Sequence, residues 1–147
     1  MSDFIIYTDG GSRGNPGPAA FGVAIRSSDG LFHEAYGHYM GVATNNEAEY
    51  SAVISGLQRL HEVLGSKSID MSVELRADSE LMVRQMNGIY KVKNERIGQL
   101  FLKVWHAKSL FKSVKFVHVR REFNKEADAM VNKALDDAMA LPLHNKK

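Results

Sequence analysis

The 147-residue chain contains no cysteine. Disulfides, zinc–thiolate sites and cysteine nucleophiles are thereby excluded, and any metal must sit on oxygen or histidine ligands. Long apolar runs are also missing: no stretch approaches the roughly 18 residues that a membrane-spanning helix needs. The opening Met1-Ser2-Asp3 carries no basic residue, and the apolar run Phe4–Tyr7 is far too short for a signal peptide. The expectation is a cytoplasmic protein with no membrane partner. Acids are scarce in one long segment. From Arg84 to Arg121 ten lysines and arginines meet one acid, Glu95. Before Tyr50 the balance reverses, with six acids against Arg13 and Arg26. The net charge of +2 conceals this division. A solvated helix face would produce it, and so would a polyanion groove beside a cation site.

With 44% hydrophobic residues the chain can bury one core. Residues 1–141 read as a single domain, and 142–147 as a frayed tail. The predicted order is β-β-β-α-β-α-α-β-α. Phe4–Tyr7 is a continuous apolar run, as in a strand covered on both faces. Gly11–Pro18 holds three glycines and two prolines and reads as loop. Ala19–Arg26 and Leu31–Met40 flank a turn at Asp29-Gly30, a hairpin signal. An amphipathic helix spans about Glu47–Leu64, capped by Thr44 or by an asparagine after it. Met71–Ala77 alternates as a strand. Ser79–Asn87 and Asn94–Phe111 read as helices, Lys115–Val119 as a strand, and Asn124 to about Ala140 as the last helix. Short turns early and helical crossovers later imply an α/β fold, a mixed sheet whose first three strands are antiparallel.

Four acids stand out by position. Asp9 and Asp78 lie where strands end. Stepping from Glu49 by helical spacing reaches Val53, Leu57, Leu60 and Leu64, the apolar face. Asp128 steps likewise to Val131, Leu135 and Ala138. From Glu47 the same steps meet Ser51, Ser55, Gln58 and Glu62, so Glu47 is expected to face solvent. Any one acid alone suits a strand end, a cap or a salt bridge. Four converging carboxylates repel one another, and a divalent cation with a taste for oxygen, such as Mg²⁺, removes that cost. No Gly-Lys-Ser/Thr follows the glycine-rich loop and no helix opens from it, which argues against a nucleotide cradle. The six histidines show no metal-ligand spacing.

The motifs Tyr7-Thr8-Asp9-Gly10-Gly11-Ser12-Arg13-Gly14-Asn15-Pro16-Gly17, Thr44-Asn45-Asn46-Glu47-Ala48-Glu49-Tyr50, Arg76-Ala77-Asp78-Ser79 and Asn124-Lys125-Glu126-Ala127-Asp128 resemble, in order, the four signatures of the type 1 ribonuclease H family. The resemblance implies a five-stranded mixed sheet flanked by helices. It implies an acid quartet of Asp9, Glu49, Asp78 and Asp128 that holds two Mg²⁺ ions, with Mn²⁺ as a possible substitute. It implies hydrolysis of the RNA strand of an RNA–DNA hybrid to 5′-phosphate and 3′-hydroxyl ends. It places Asn15, Asn45 and Asn46 against the hybrid backbone and minor groove, where the 2′-hydroxyl marks RNA.

Two departures accompany the resemblance. Bacterial members carry a histidine in a flexible loop, whereas Val119–Phe123 is short and has none. Arg120 is the candidate for that place, as a phosphate contact. Many members also insert a basic, tryptophan-rich helix for which Gly88–Lys93 leaves no room, so the chain resembles the compact subset. Its single tryptophan, Trp105, is expected in the core. No protein partner is implied, and a monomer is expected. The alternatives are another nuclease of related fold, such as a resolvase or integrase core, and a hybrid-binding module without chemistry. Neither would call for all four motifs with their acids.

Overall fold

The computed structural model describes residues 2–89 and 91–145, with side chains as far as Ala140. Apolar residues at period two build the strands. On β1 (Phe4–Ser12) Ile6 and Thr8 are buried, whereas Ile5 and Tyr7 are half-covered. The strand is thus sealed on one face only, not on both. It pairs antiparallel with β2 (Gly17–Ser27), which pairs antiparallel with β3 (His33–Ala43). On its other side β1 pairs parallel with β4 (Ser72–Ala77), and β4 parallel with β5 (Ser113–His118). The sheet order is β3-β2-β1-β4-β5, the expected antiparallel meander followed by parallel crossovers.

Among the described residues the α-helices are α1 (Asn45–Leu64), α2 (Glu80–Met86), α3 (Glu95–Lys108) and α4 (Lys125–Asn145). Val53, Leu57 and Leu60 of α1 are fully buried, in one core with Ile6, Val23 and Leu75 of the sheet. Each such side chain contributes about 1.5–3 kcal/mol. Neighbouring residues of a strand point to opposite faces. A Cβ on Gly10 would run into the Ala48 backbone of α1, and one on Gly22 into the Ala127 carbonyl of α4. Val23, beside Gly22, packs against Gly56 of α1. The sheet therefore lies between α1 and α4, and glycine lets each helix approach the strands.

Several expectations need correction. The predicted loop Gly11–Pro18 is half strand: β1 runs to Ser12 and β2 begins at Gly17, with Ser12 opposite Ala19. Cross-strand pairing overrides the glycine-rich composition and leaves a four-residue turn with a cis Asn15–Pro16 bond. Trp105 is 47% exposed rather than in the core. Ile97, Leu100, Val104 and Ala107 already fill the inward stripe of α3. Trp105 packs at its edge on Phe101, beneath the Lys108 ammonium. A 3₁₀ turn at Gly65–Asp70 follows α1, where only a stop was expected. The end of α4 at Asn145 lies beyond Ala140, so the segment read as a tail is helical backbone in part, and 146–147 fall outside the described residues.

Candidate active site

The parallel pair β1–β4 is in register only as far as Thr8 opposite Ala77. Beyond it β1 continues beside β2, while β4 ends and the chain leaves the sheet at Asp78. A crevice opens there, at the carboxyl ends of two parallel strands, the usual place for ligands in such sheets. It is a depression of about 400 Å³ whose lining includes Asp9, Glu49, Asp78 and Asp128. The structure thus brings together the four acids singled out in the sequence. Glu49 comes from the first turns of α1 and Asp128 from the first turn of α4, so the acids wrap round the end of the sheet.

Two side chains fix the helix starts. Thr44 caps α1: its hydroxyl accepts from Glu47 N at 3.1 Å, and the Glu47 carboxylate accepts from Thr44 N at 3.0 Å. This reciprocal box is worth about 1 kcal/mol, and it assigns the cap to Thr44 rather than an asparagine. Glu47 is only 23% exposed and also accepts from Arg96 at 3.2 Å, so the solvent-facing role expected of it is incorrect. At α4, buried Asn124 donates to the Thr8 carbonyl at 2.8 Å, which ties the helix start to β1 next to Asp9. Asn124 lay within the fourth motif, but its positioning role has no sequence signal of its own.

The electrostatics of the acids are unusual. Burial pushes the Asp9 carboxyl up to about 8, and the Asp78 charge and a hydrogen bond with Asp128 push the same way against the Gly10 N–H. Burial likewise pushes Glu49 to about 7; Asp78 adds to this, while Ser79 and Arg121 oppose it. The acids therefore interact in sequence, Glu49 with Asp78, Asp78 with Asp9, and Asp9 with Asp128. Glu47, two residues from Glu49, is shifted the other way, held low by the Thr44 N–H and then by Arg96.

A divalent cation fits this donor set. The donors are all oxygen, the preference of Mg²⁺. Asp78 Oδ2 is buried without a hydrogen-bond partner, an acceptor that needs a donor or a cation. Among the described residues no three acids or histidines converge closely enough to grip a metal ion between them as they stand. The four form an open arc along the depression, with Asp128 hydrogen-bonded to Asp9.

The remaining predicted contacts divide. Asn15 and Asn45 are exposed beside the depression and bonded to each other's segments: Asn15 Oδ1 accepts from Asn45 N at 3.0 Å, and Asn45 Oδ1 accepts from Ser12 N at 2.8 Å. Both amide oxygens are thus occupied within the protein. Asn46 is half-buried, and its Oδ1 has no partner. Arg120 is 80% exposed, pairs only loosely with Glu122 at 3.8 Å, and does not line the depression. Its neighbour Arg121 does. The sequence offered both arginines side by side, and the 3₁₀ turn at Arg121–Phe123 decides which one turns inward.

Residues 7–134 match the family model described as Reverse transcriptase-like. Ribonuclease HI of Halobacterium salinarum is 39% identical over 90% of this chain. The crystal structure of LC11-RNase H1, isolated from compost, in complex with RNA/DNA hybrid is 48% identical and superposes with a TM-score of 0.84 over 92% of this chain and 99% of that one. The N-terminal RNase H domain of a Mycobacterium tuberculosis protein is 34% identical, with a TM-score of 0.86 over 97% of this chain and 99% of the domain chain. This chain spans 64% of the halobacterial protein's length and 36% of the full mycobacterial protein's. With the family model matched over residues 7–134 and a ribonuclease H1 structure 48% identical covered over 99% of its length, the chain belongs to the type 1 ribonuclease H family.

Proposed function

We propose that the protein is an endonuclease that hydrolyses the RNA strand of RNA–DNA hybrids, leaving 5′-phosphate and 3′-hydroxyl ends. The observation that carries this reading is the arc of four carboxylates, two of them pushed up to about 8 and about 7, in a crevice beside cationic and amide groups. Asp9, Glu49, Asp78 and Asp128 would hold two divalent ions. When bound, such ions activate a water and neutralise charge on the departing oxygen of an in-line displacement.

The chain's own residues do the rest. Asp9 presents oxygens from within β1 and Asp78 from the residue that follows β4, so ligand positions are set before substrate arrives. Arg121 stands beside Glu49, where a guanidinium can hold a phosphate oxygen through its planar fork. The amides of exposed Asn15 and Asn45 can donate to backbone or groove atoms next to the scissile bond, and amides suit a 2′-hydroxyl that both donates and accepts. The basic segment that contains Arg96 and Lys103 continues the path for a polyanion. The hybrid in the crystal structure of a relative 48% identical supports the substrate class. No helix among the described residues is long and apolar enough to cross a membrane. Action as a cytoplasmic monomer is part of the same proposal, as is the reading of residues 1–141 as one domain.

The test is cleavage of an end-labelled RNA–DNA hybrid, beside duplex DNA and single-stranded RNA, in Mg²⁺ and in EDTA. The expected result is cleavage of the RNA strand of the hybrid alone and only with metal. Robust cutting in chelator would falsify the metal-dependent reading.

A further inference from the structure

One side chain crosses the mouth of the acid depression and has no part in the chemistry above. Arg13 stands in the turn between β1 and β2, and its guanidinium donates to Asp136 of α4 at 2.6 Å. The backbone around it is pinned from the other side. Arg13 N donates to the Pro18 carbonyl at 2.8 Å, and Ser12 and Asn15 are both bonded to Asn45. The turn is therefore fixed on α1, while the Arg13 side chain reaches across to α4.

Asp136 lies eight residues after Asp128 on α4, with Asn132 midway. Steps of four keep these residues on one side of a helix, and Asn132 donates to Asp128 at 3.4 Å. Arg13, Asn132 and Asp128 all line the depression. Asp136 is thus a fifth acid, at the outer end of the acid-bearing stripe, and Arg13 covers its charge. Both partners are open to water, at 42% and 66% exposure. An ion pair so exposed is weak, because water screens it. A phosphodiester offers the same guanidinium a bidentate acceptor, and a strand lying over the acids would bring one close.

We propose that Arg13 is a phosphate clamp parked on Asp136. In the free protein the guanidinium neutralises the fifth acid. When a nucleic-acid strand enters, the guanidinium passes to a backbone phosphate at the mouth of the depression, and Asp136 sets the cost of that transfer. This rests on the hybrid-nuclease reading for its substrate, and it adds a residue pair that governs how tightly substrate is held.

A double-mutant cycle tests it, with affinity for labelled hybrid measured by fluorescence anisotropy in EDTA at fixed salt, and KM and kcat measured in Mg²⁺. Arg13→Ala is expected to weaken binding about five-fold and to raise KM more than it lowers kcat. Asp136→Asn is expected to tighten binding about three-fold, since the parked state loses its partner. In the Arg13→Ala background the same Asp136→Asn change is expected to have no effect. Asp137→Asn is the control: it removes the same charge one residue away, from a carboxylate paired with Lys133 at 3.0 Å, and is expected to leave affinity unchanged. A gain from Asp136→Asn that persists without Arg13, or that Asp137→Asn reproduces, overturns the clamp in favour of bulk charge. An unaltered affinity in Arg13→Ala overturns it as well. If the wild-type protein binds hybrid with the expected coupling but does not cut it, the nuclease reading falls and the clamp stands.

Discussion

Glu47 and Glu49 sit two residues apart on α1 in opposite circumstances. Glu47 accepts from Thr44 N, and from Arg96 at 3.2 Å, and is held below the usual carboxylate range. Glu49 is pushed up to about 7 by burial, with Asp78 as a like-charged neighbour. The first region satisfies each charge and stabilises the helix. In the second, burial and like charge outweigh the Ser79 and Arg121 partners, so the fold carries an energetic cost that a cation would relieve. Local structure improves stability at one position and chemistry works against it at the other, the pattern expected where function overrides local consistency.

The largest expected difference between the two is in activity. Glu49→Gln and Asp78→Asn are each predicted to lower Mg²⁺-dependent hybrid cleavage on the order of 10²–10³-fold, as for removal of one preorganised charge-stabilising group. Glu47→Gln should stay within a few-fold of wild type. Matched single-turnover rates check this, and an inactive Glu47→Gln beside an active Glu49→Gln would invert the assignment.

The next effect sharpens the choice between two adjacent arginines. Arg121→Ala should slow turnover roughly ten-fold, because a charge-assisted hydrogen bond to phosphate is lost. Arg120→Ala should change kcat less than two-fold, since an exposed residue with one loose partner has little to lose. Equal losses at both positions would show that the turn re-orients on the hybrid.

Stability against pH separates the regions in another way. The folded pKa values of Asp9 and Glu49, about 8 and about 7, lie above their ordinary 3.8 and 4.5. In that window the folded state keeps protons that the unfolded chain has released, so these two groups stabilise the fold at low pH and cease to do so as pH rises through 7 and 8. Between pH 5 and 8 the metal-free protein should lose melting temperature, by about 2–4 °C for each kcal/mol in a domain of this size. Asp9→Asn should flatten the slope. Saturating Mg²⁺ should do so too, because cations compete with protons for carboxylates. A melting temperature that climbs with pH in EDTA would count against the buried acids. The smallest effect belongs to the satisfied region: Thr44→Ala should cost about 1 kcal/mol at any pH in this range, read by denaturant unfolding.

Much of this was legible from residue order. An apolar run located β1, a turn signal the β2–β3 hairpin, alternation β4 and period 3.6 the helix α1, and the helical steps from Glu49 through Val53, Leu57 and Leu60 identified which glutamate turns inward. The steps from Asp128 through Val131 and Leu135 did the same for α4. These inferences hold because burial acts on a whole face, and a face is visible in the spacing. The glycine-rich turn misled because composition reports conformational freedom and not pairing: the antiparallel ladder from Phe4–Ser27 to Ser12–Ala19 holds glycines that would not form a strand alone.

What the sequence determined by itself was the set of elements, the inward faces of α1 and α4, and the four acids. Only the tertiary structure decided which partners those residues meet. It brought Arg96, far along the chain, onto Glu47, and turned Arg121 rather than Arg120 into the crevice. It laid Asn124 on the Thr8 carbonyl and carried Arg13 across to Asp136. Trp105 was left at the edge of α3 because other side chains had filled the space beneath. The physical reason is common to all of these. A helix or strand is specified by neighbours a few residues away, whereas a partner for a charge is set by how whole elements pack, and no local pattern records that distance.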